Sequence, residues 1–90
     1  YLVNAFYQLG RNAVISDLHV QEGIEGLLSF IEHYEQSKNI PPIEWAYLRL
    51  AQLYSLLQDQ TKQEHYVRLA RHSDERELHR ALKKLVNKGR

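Results

Sequence analysis

Histidine is the residue type in this chain best suited to hold a metal ion or to move a proton. His65, His72 and His79 are spaced seven residues apart, which is about 10.5 Å along a continuous helix. That separation is too long for shared coordination, and no His-Glu-x-x-His pattern occurs. The chain has no cysteine, which excludes a disulfide, a thiolate nucleophile and a cysteine-based zinc site. We therefore expect no metal site, no cofactor and surface positions for the histidines.

Serine and carboxylate groups also lack the sequence context that catalysis needs. No Gly-x-Ser-x-Gly pattern is present, and the serines suit helix caps or helix positions. Glu22 and Glu25 lie within one helical turn, but nothing around them indicates the buried environment that shifts carboxyl pKa values. We expect that the chain is not an enzyme.

Positive charge is concentrated at the C-terminal end. Residues 71–90 carry seven Lys or Arg and three acids, a net charge of +4, whereas residues 1–70 have a net charge of −3. These cations could contact a polyanion such as a nucleic acid, and the candidate residues are Arg80, Lys83, Lys84 and Lys88. The alternative is an amphipathic capping helix that packs its leucines inward and turns its charge outward. Few aromatic side chains accompany the cations for base stacking, so the capping helix is the favoured interpretation.

The spacing of apolar residues is helical along nearly the whole chain. It predicts five helices, at about 1–14, 18–37, 43–57, 61–72 and 74–88. Because the connections are short, neighbouring helices should be antiparallel, which gives one hairpin over about 1–37, a second over about 43–72 and a capping helix. The expected helix caps are Ser16 or Asp17, Asp59, and Ser73.

Length and composition fit a single helical domain. The chain has 90 residues, of which 43% are hydrophobic and 26% are charged, as in a globular domain. No apolar run approaches the roughly 20 residues that cross a bilayer, and no signal-peptide pattern opens the chain, so we expect a cytoplasmic protein. Because the chain begins with Tyr1 and has no methionine, we expect a fragment of a larger protein with further repeats or domains.

A short pattern recurs in the two predicted hairpins. Residues 5–11 align with residues 46–52, and in both segments an aromatic residue is followed three residues later by Leu and then by Gly or Ala. The segment Tyr47-x2-Leu50-Ala51-x2-Tyr54, followed by Tyr66-x3-Ala70, resembles one unit of the tetratricopeptide repeat family. The offset of 41 residues exceeds the family's repeat of about 34 residues. Ala13 and Gln63 also depart from the family pattern.

The resemblance implies an all-α fold in which antiparallel hairpins stack into a right-handed array that ends in the capping helix. It also implies a concave face that binds a protein or peptide segment. That face would be built from Asn4, Tyr7, Arg11, Trp45, Leu48, Gln52 and Ser55. The aromatic residues and Leu48 would cover apolar ligand surface, Arg11 would pair with a carboxylate, and the amides would bond a peptide backbone.

Two alternatives stay open at this stage. The chain could instead be a helical accessory domain of a larger enzyme, whose parent chain would fill the concave face. Trp45 could be a core residue at the Pro41-Pro42 turn rather than an anchor for a ligand. The small residues have a predicted packing role. We expect Gly23, Gly26 and Ala51 at positions where two helices cross at close range.

Overall fold

The computed structural model describes residues 2–35 and 40–88, and this part of the chain is all-helical, without strands. The five helices are α1 (Leu2–Ser16), α2 (Val20–Glu32), α3 (Ile43–Leu56), α4 (Gln60–Ala70) and α5 (Arg76–Lys88). The predicted all-α class and the five helices are confirmed. The prediction for the second helix was too long, because α2 ends at Glu32 and residues 33–35 are not helical; residues 36 and 37 of that prediction lie outside the described residues.

The turn between α1 and α2 differs from the prediction. The hydroxyl of Ser16 donates to the carbonyl of Asn12 and accepts the amide of Leu18, so it belongs to the end of α1. The N-cap of α2 is His19, with φ of 57° and no side-chain capping bond, and Asp17 also has a positive φ of 58°. The prediction that Ser16 or Asp17 caps α2 is therefore wrong. The chain reverses through left-handed residues, a conformation in which Asp and His are enriched.

The other two predicted caps accept backbone amides. The carboxylate of Asp59, the N-cap of α4, accepts the amide of Lys62 at 3.2 Å, which confirms this cap. The hydroxyl of Ser73 accepts the amide of Glu75 at 3.1 Å. Because α5 begins only at Arg76, Ser73 stabilises the turn before the helix and is not its N-cap.

Three glycines allow α1 and α2 to approach closely. A Cβ atom at Gly23 would lie 2.5 Å from the Cβ of Ala13, and one at Gly26 would lie 3.0 Å from the carbonyl oxygen of Phe6. A Cβ at Gly10 would overlap the side chain of Leu27. Such distances are shorter than ordinary van der Waals contact, so a larger residue at any of these crossings would force its neighbours to move. The packing role that the sequence predicted for the α2 glycines is confirmed.

Helix α3 is buried on two sides. On one side Leu50, Leu53 and Tyr54 join a hydrophobic cluster with residues of α1 and α2. On the other side Leu48 and Ala51 join a second cluster with α4 and α5. The α5 members of this second cluster are Leu78, Leu82 and Leu85. The leucines of α5 therefore pack inward, and α3 is the central helix of the described structure.

Candidate functional site

Two residues of the predicted binding face are part of the hydrophobic core. Leu48 is 0% exposed, and it packs in the second cluster beneath α4 and α5. Tyr7 is 5% exposed, and the centroid of its ring lies 5.5 Å from that of Phe30. The structure corrects their assignment, since neither the Leu48 side chain nor the Tyr7 ring offers apolar surface to a ligand. The family resemblance placed Leu48 on an open concave face, whereas α3 is buried on two sides.

Four side chains from α1 and α3 meet in a group that we call the Arg49 cluster: Tyr7, Trp45, Arg49 and Gln52. The Nε of Arg49 donates to the hydroxyl of Tyr7 at 3.4 Å, and its Nη1 donates to the Oε1 of Gln52 at 3.2 Å. The Cζ of Arg49 lies 5.6 Å from the ring centroid of Trp45, within cation–π range. Trp45, Arg49 and Gln52 occupy positions i, i+4 and i+7 of one helix, which puts them on one face.

The guanidinium of Arg49 is partly buried and keeps donors available. An arginine has five N–H donors, and two of them are used in the bonds to Tyr7 and Gln52. Among the described residues Arg49 makes no ion pair with a carboxylate. The cluster can therefore receive an anionic oxygen, and its charge is screened less by solvent than that of a fully exposed arginine.

Trp45 links the Arg49 cluster to the start of α5. Its indole Nε1 donates to a carboxylate oxygen of Glu75, the residue just before α5. The ring is partly buried and packs against both hydrophobic clusters. Trp45 thus makes the core contacts that one interpretation of the sequence predicted, and its role as an anchor for a ligand stays a prediction.

The remaining predicted binding residues are Arg11, Ser55 and Asn4, and among the described side chains none of them is hydrogen-bonded to this cluster. Arg11 is exposed on α1, and Ser55 lines a groove on the side of α4. Asn4 belongs to α1, but its side chain is outside the described part of the structure. Arg49 was missed by the sequence analysis. Its position four residues after Trp45 and three before Gln52 was the signal that could have found it.

The basic side chains of α5 that the structure describes are on its outer side. Arg80, Lys83 and Lys84 are exposed, while the side chain of Lys88 lies outside the described residues. These side chains face solvent, whereas Leu78, Leu82 and Leu85 of the same helix are buried. This distribution is that of an amphipathic helix packed on the protein.

Three of the histidines contact residues that are close to them in the sequence. The Nε2 of His79 donates to the carbonyl of Ser73 at 2.6 Å, and the Nδ1 of His33 donates to the carbonyl of Ser29 at 2.9 Å. His65 packs edge-on against Tyr66 at 4.9 Å between centroids. Within residues 2–35 and 40–88, no three His, Asp or Glu side chains are grouped so that they could hold a metal ion.

Three tyrosines stack between α3 and α4. The ring centroids of Tyr54 and Tyr66 are 5.8 Å apart, and those of Tyr47 and Tyr66 are 6.2 Å apart. Burial raises the pKa of all three phenols above the usual value of about 10. Neighbouring groups have smaller effects on these pKa values. Glu44 raises the pKa of Tyr47, and Asp59 raises the pKa of Tyr54. Tyr54 raises the pKa of Tyr66, whereas Lys62 lowers it.

We expect the protein to lose stability at alkaline pH through these tyrosines. The pKa values of these tyrosines are higher in the folded state than in the unfolded state. Their neutral phenols therefore contribute fully to the free energy of unfolding below a pH of about 10, and this contribution is lost as the pH rises through the folded-state pKa values. The measurement is the midpoint of thermal unfolding as a function of pH, followed by circular dichroism. Tyr66→Phe removes one ionising hydroxyl and should flatten the decline, and a midpoint that stays constant up to a pH of about 11 would contradict the expectation.

Comparisons of this chain with protein-family models, curated proteins and solved structures find no match. Among the described helices, none has both the length and the apolar character needed to traverse a bilayer.

Proposed function

We propose that this chain is a non-catalytic interaction module that binds a segment of another protein across α1 and α3, at the Arg49 cluster. The observation that carries this proposal is the half-buried Arg49 guanidinium, which is held by Tyr7 and Gln52 and stacked on Trp45, with no carboxylate partner among the described residues. Arginine and tryptophan are the side chains most often found at binding hot spots.

The order of contacts between helices supports a tetratricopeptide-like arrangement. Arg49 of α3 reaches Tyr7 of α1, and further along both helices Ala13 and Leu53 meet at Gly23. Helices α1 and α3 therefore run in the same direction, as the first helices of successive repeats do. Trp45 and Glu75 bring together the beginnings of α3 and α5 in the same way. The arrangement that we propose is a right-handed array in which α5 is the capping helix.

The ligand chemistry follows from the donors in the cluster. A carboxylate of the bound segment would accept hydrogen bonds from the free N–H groups of Arg49, because charge-assisted bonds of this kind are about twice as strong as neutral ones. The amide of Gln52 lies one turn further along the same face and would bond the backbone of the segment. In this arrangement Arg49 takes the carboxylate-binding role that the family resemblance implied for Arg11.

The proposal is tested with a displayed library of random peptides selected against the folded protein. Trp45 is the only tryptophan in the chain, so its fluorescence reports directly on the site when a selected peptide is titrated. We expect the peptides to carry Asp or Glu, and we expect Arg49→Gln to weaken their binding about tenfold, since it leaves the peptide's carboxylate without its charged partner.

Lys84→Gln is the matched control, because it removes the same charge from an exposed position on α5. It should change the affinity by less than about twofold, as expected for a distant surface charge. Selected peptides that bind the Arg49→Gln protein as tightly as the unchanged protein, or that leave Trp45 fluorescence unaltered, would show that the segment does not bind at the Arg49 cluster.

A further inference from the structure

A long open groove lies between α4 and α5, on residues other than the Arg49 cluster. Its larger part has a volume of about 880 Å³, and a smaller part of about 220 Å³ adjoins it. Both parts are lined by Arg71 and Val86, so they form one continuous surface that we call the α4–α5 groove.

One side of the groove is a straight stripe of α4. It runs from Gln60 to Arg71 through residues three or four apart, which lie on one face of a helix. Eleven helical steps correspond to about 16 Å, the length of three turns of a second helix laid alongside. The groove is therefore long enough to hold a short helix.

The floor of the groove is apolar and its rim is basic. Leu56, which is 40% exposed, and the partly buried Val86 give the floor its accessible apolar surface, whereas Val67 is 5% exposed and belongs to the second cluster. The cations of the rim are Arg68, Arg71 and Lys83. Glu64 is the one acidic group among the described lining residues, and it already accepts a hydrogen bond from the Gln60 amide at 3.1 Å. The rim thus has a positive potential over an apolar base.

We propose that the α4–α5 groove binds an acidic amphipathic helix of a partner protein, which is a second site beyond the proposed function. The apolar stripe of such a helix would cover Leu56 and Val86, a helix-in-groove mode of recognition. Asp or Glu residues beside that stripe would pair with Arg68, Arg71 and Lys83. Charge complementarity selects an acidic helix over a basic one, because like charges across the rim would repel.

The lining chemistry favours a protein over a nucleic acid. Single-stranded nucleic acids bind by stacking their bases on aromatic side chains beside basic residues. The described lining residues include no Phe, Tyr or Trp. The cations instead surround an apolar floor, and a charged phosphate backbone gains no favourable contact from such a surface.

The test is a selection of displayed peptides against the unchanged protein, followed by fluorescence anisotropy with each selected peptide labelled. We expect one class of peptides to carry acids beside an apolar stripe at helical spacing. For this class Arg71→Glu and Lys83→Glu should each weaken binding about tenfold. Arg80→Glu makes the same change of charge on an exposed residue outside the groove lining and should have an effect of about twofold or less.

The variants also separate this site from the Arg49 cluster. Peptides that lose affinity in Arg49→Gln and keep it in Arg71→Glu belong to the proposed function, and if every selected peptide behaves in this way the groove proposal is overturned. It is also overturned if Arg80→Glu weakens binding as much as Arg71→Glu, or if a single-stranded oligonucleotide displaces the peptide with an affinity that falls steeply between about 50 mM and about 200 mM salt. Circular dichroism of each variant checks that the helices are intact.

Discussion

Replacing Leu48 with alanine should lower the free energy of unfolding by about 2–5 kcal/mol. Leu48 is 0% exposed and packs in the second cluster, where α3 meets α4 and α5. Removing its side chain beyond Cβ leaves a cavity that the surrounding leucines fill only in part. Since a domain of this kind is stable by about 5–15 kcal/mol, the loss is a large share of the total. Urea unfolding followed by far-ultraviolet circular dichroism measures it.

Leu56→Ala is the matched control for Leu48→Ala. It makes the same chemical change on the same helix, but Leu56 is 40% exposed. Its effect should stay within about 0.5 kcal/mol, as for most surface substitutions. Equal losses for the two variants would contradict the buried position of Leu48 and would return this face of α3 to the list of possible binding surfaces. The expected result also means that Leu48→Ala cannot serve as a binding variant.

The helices were predictable because local apolar spacing specifies them, but the orientation of α3 was not. The apolar spacing predicts a helix over about 43–57, whereas α3 ends at Leu56, and Leu57 just beyond it is 49% exposed. The helix instead sends Leu50 and Leu53 to one cluster and Leu48 to the other. A helix with apolar residues around most of its circumference has no single inner face, so its neighbours decide which residues are buried.

The candidate site depended on a contact that no local pattern contains. Trp45 and Gln52 were predicted as site residues from a family resemblance, but Arg49 was not. Its bond to Tyr7 joins residues 42 positions apart and requires the register between α1 and α3. That register is set in part by close packing, since the Cβ of Ala13 and a methyl of Leu53 both lie against Gly23. Side-chain contacts of this range follow from packing and not from spacing along the chain.

Gly10→Ala should destabilise the protein, although the same change usually strengthens a helix. In a helix interior alanine is favoured over glycine by about 1 kcal/mol. At position 10 the new Cβ would lie 2.5 Å from the Cδ1 and 2.7 Å from the Cδ2 of Leu27, and closer still to its Cγ. Leu27 is fully buried, so it has no room to move and α1 must shift away from α2. Overpacking of this kind costs about 1–3 kcal/mol, which outweighs the gain in propensity.

The double substitution with Leu27→Ala separates overpacking from any other effect at Gly10. Leu27→Ala alone should cost about 2–5 kcal/mol, because it opens a cavity in the first cluster. In that background the methyl group of Ala at position 10 meets empty space, so adding Gly10→Ala should be neutral or stabilising. The difference between the two backgrounds is the coupling energy of the contact, and it should exceed about 0.5 kcal/mol. Chemical denaturation of the unchanged protein, the two single variants and the double variant gives all terms of this double-mutant cycle. A Gly10→Ala protein that is more stable than the unchanged protein would mean that α1 and α2 do not cross at this glycine.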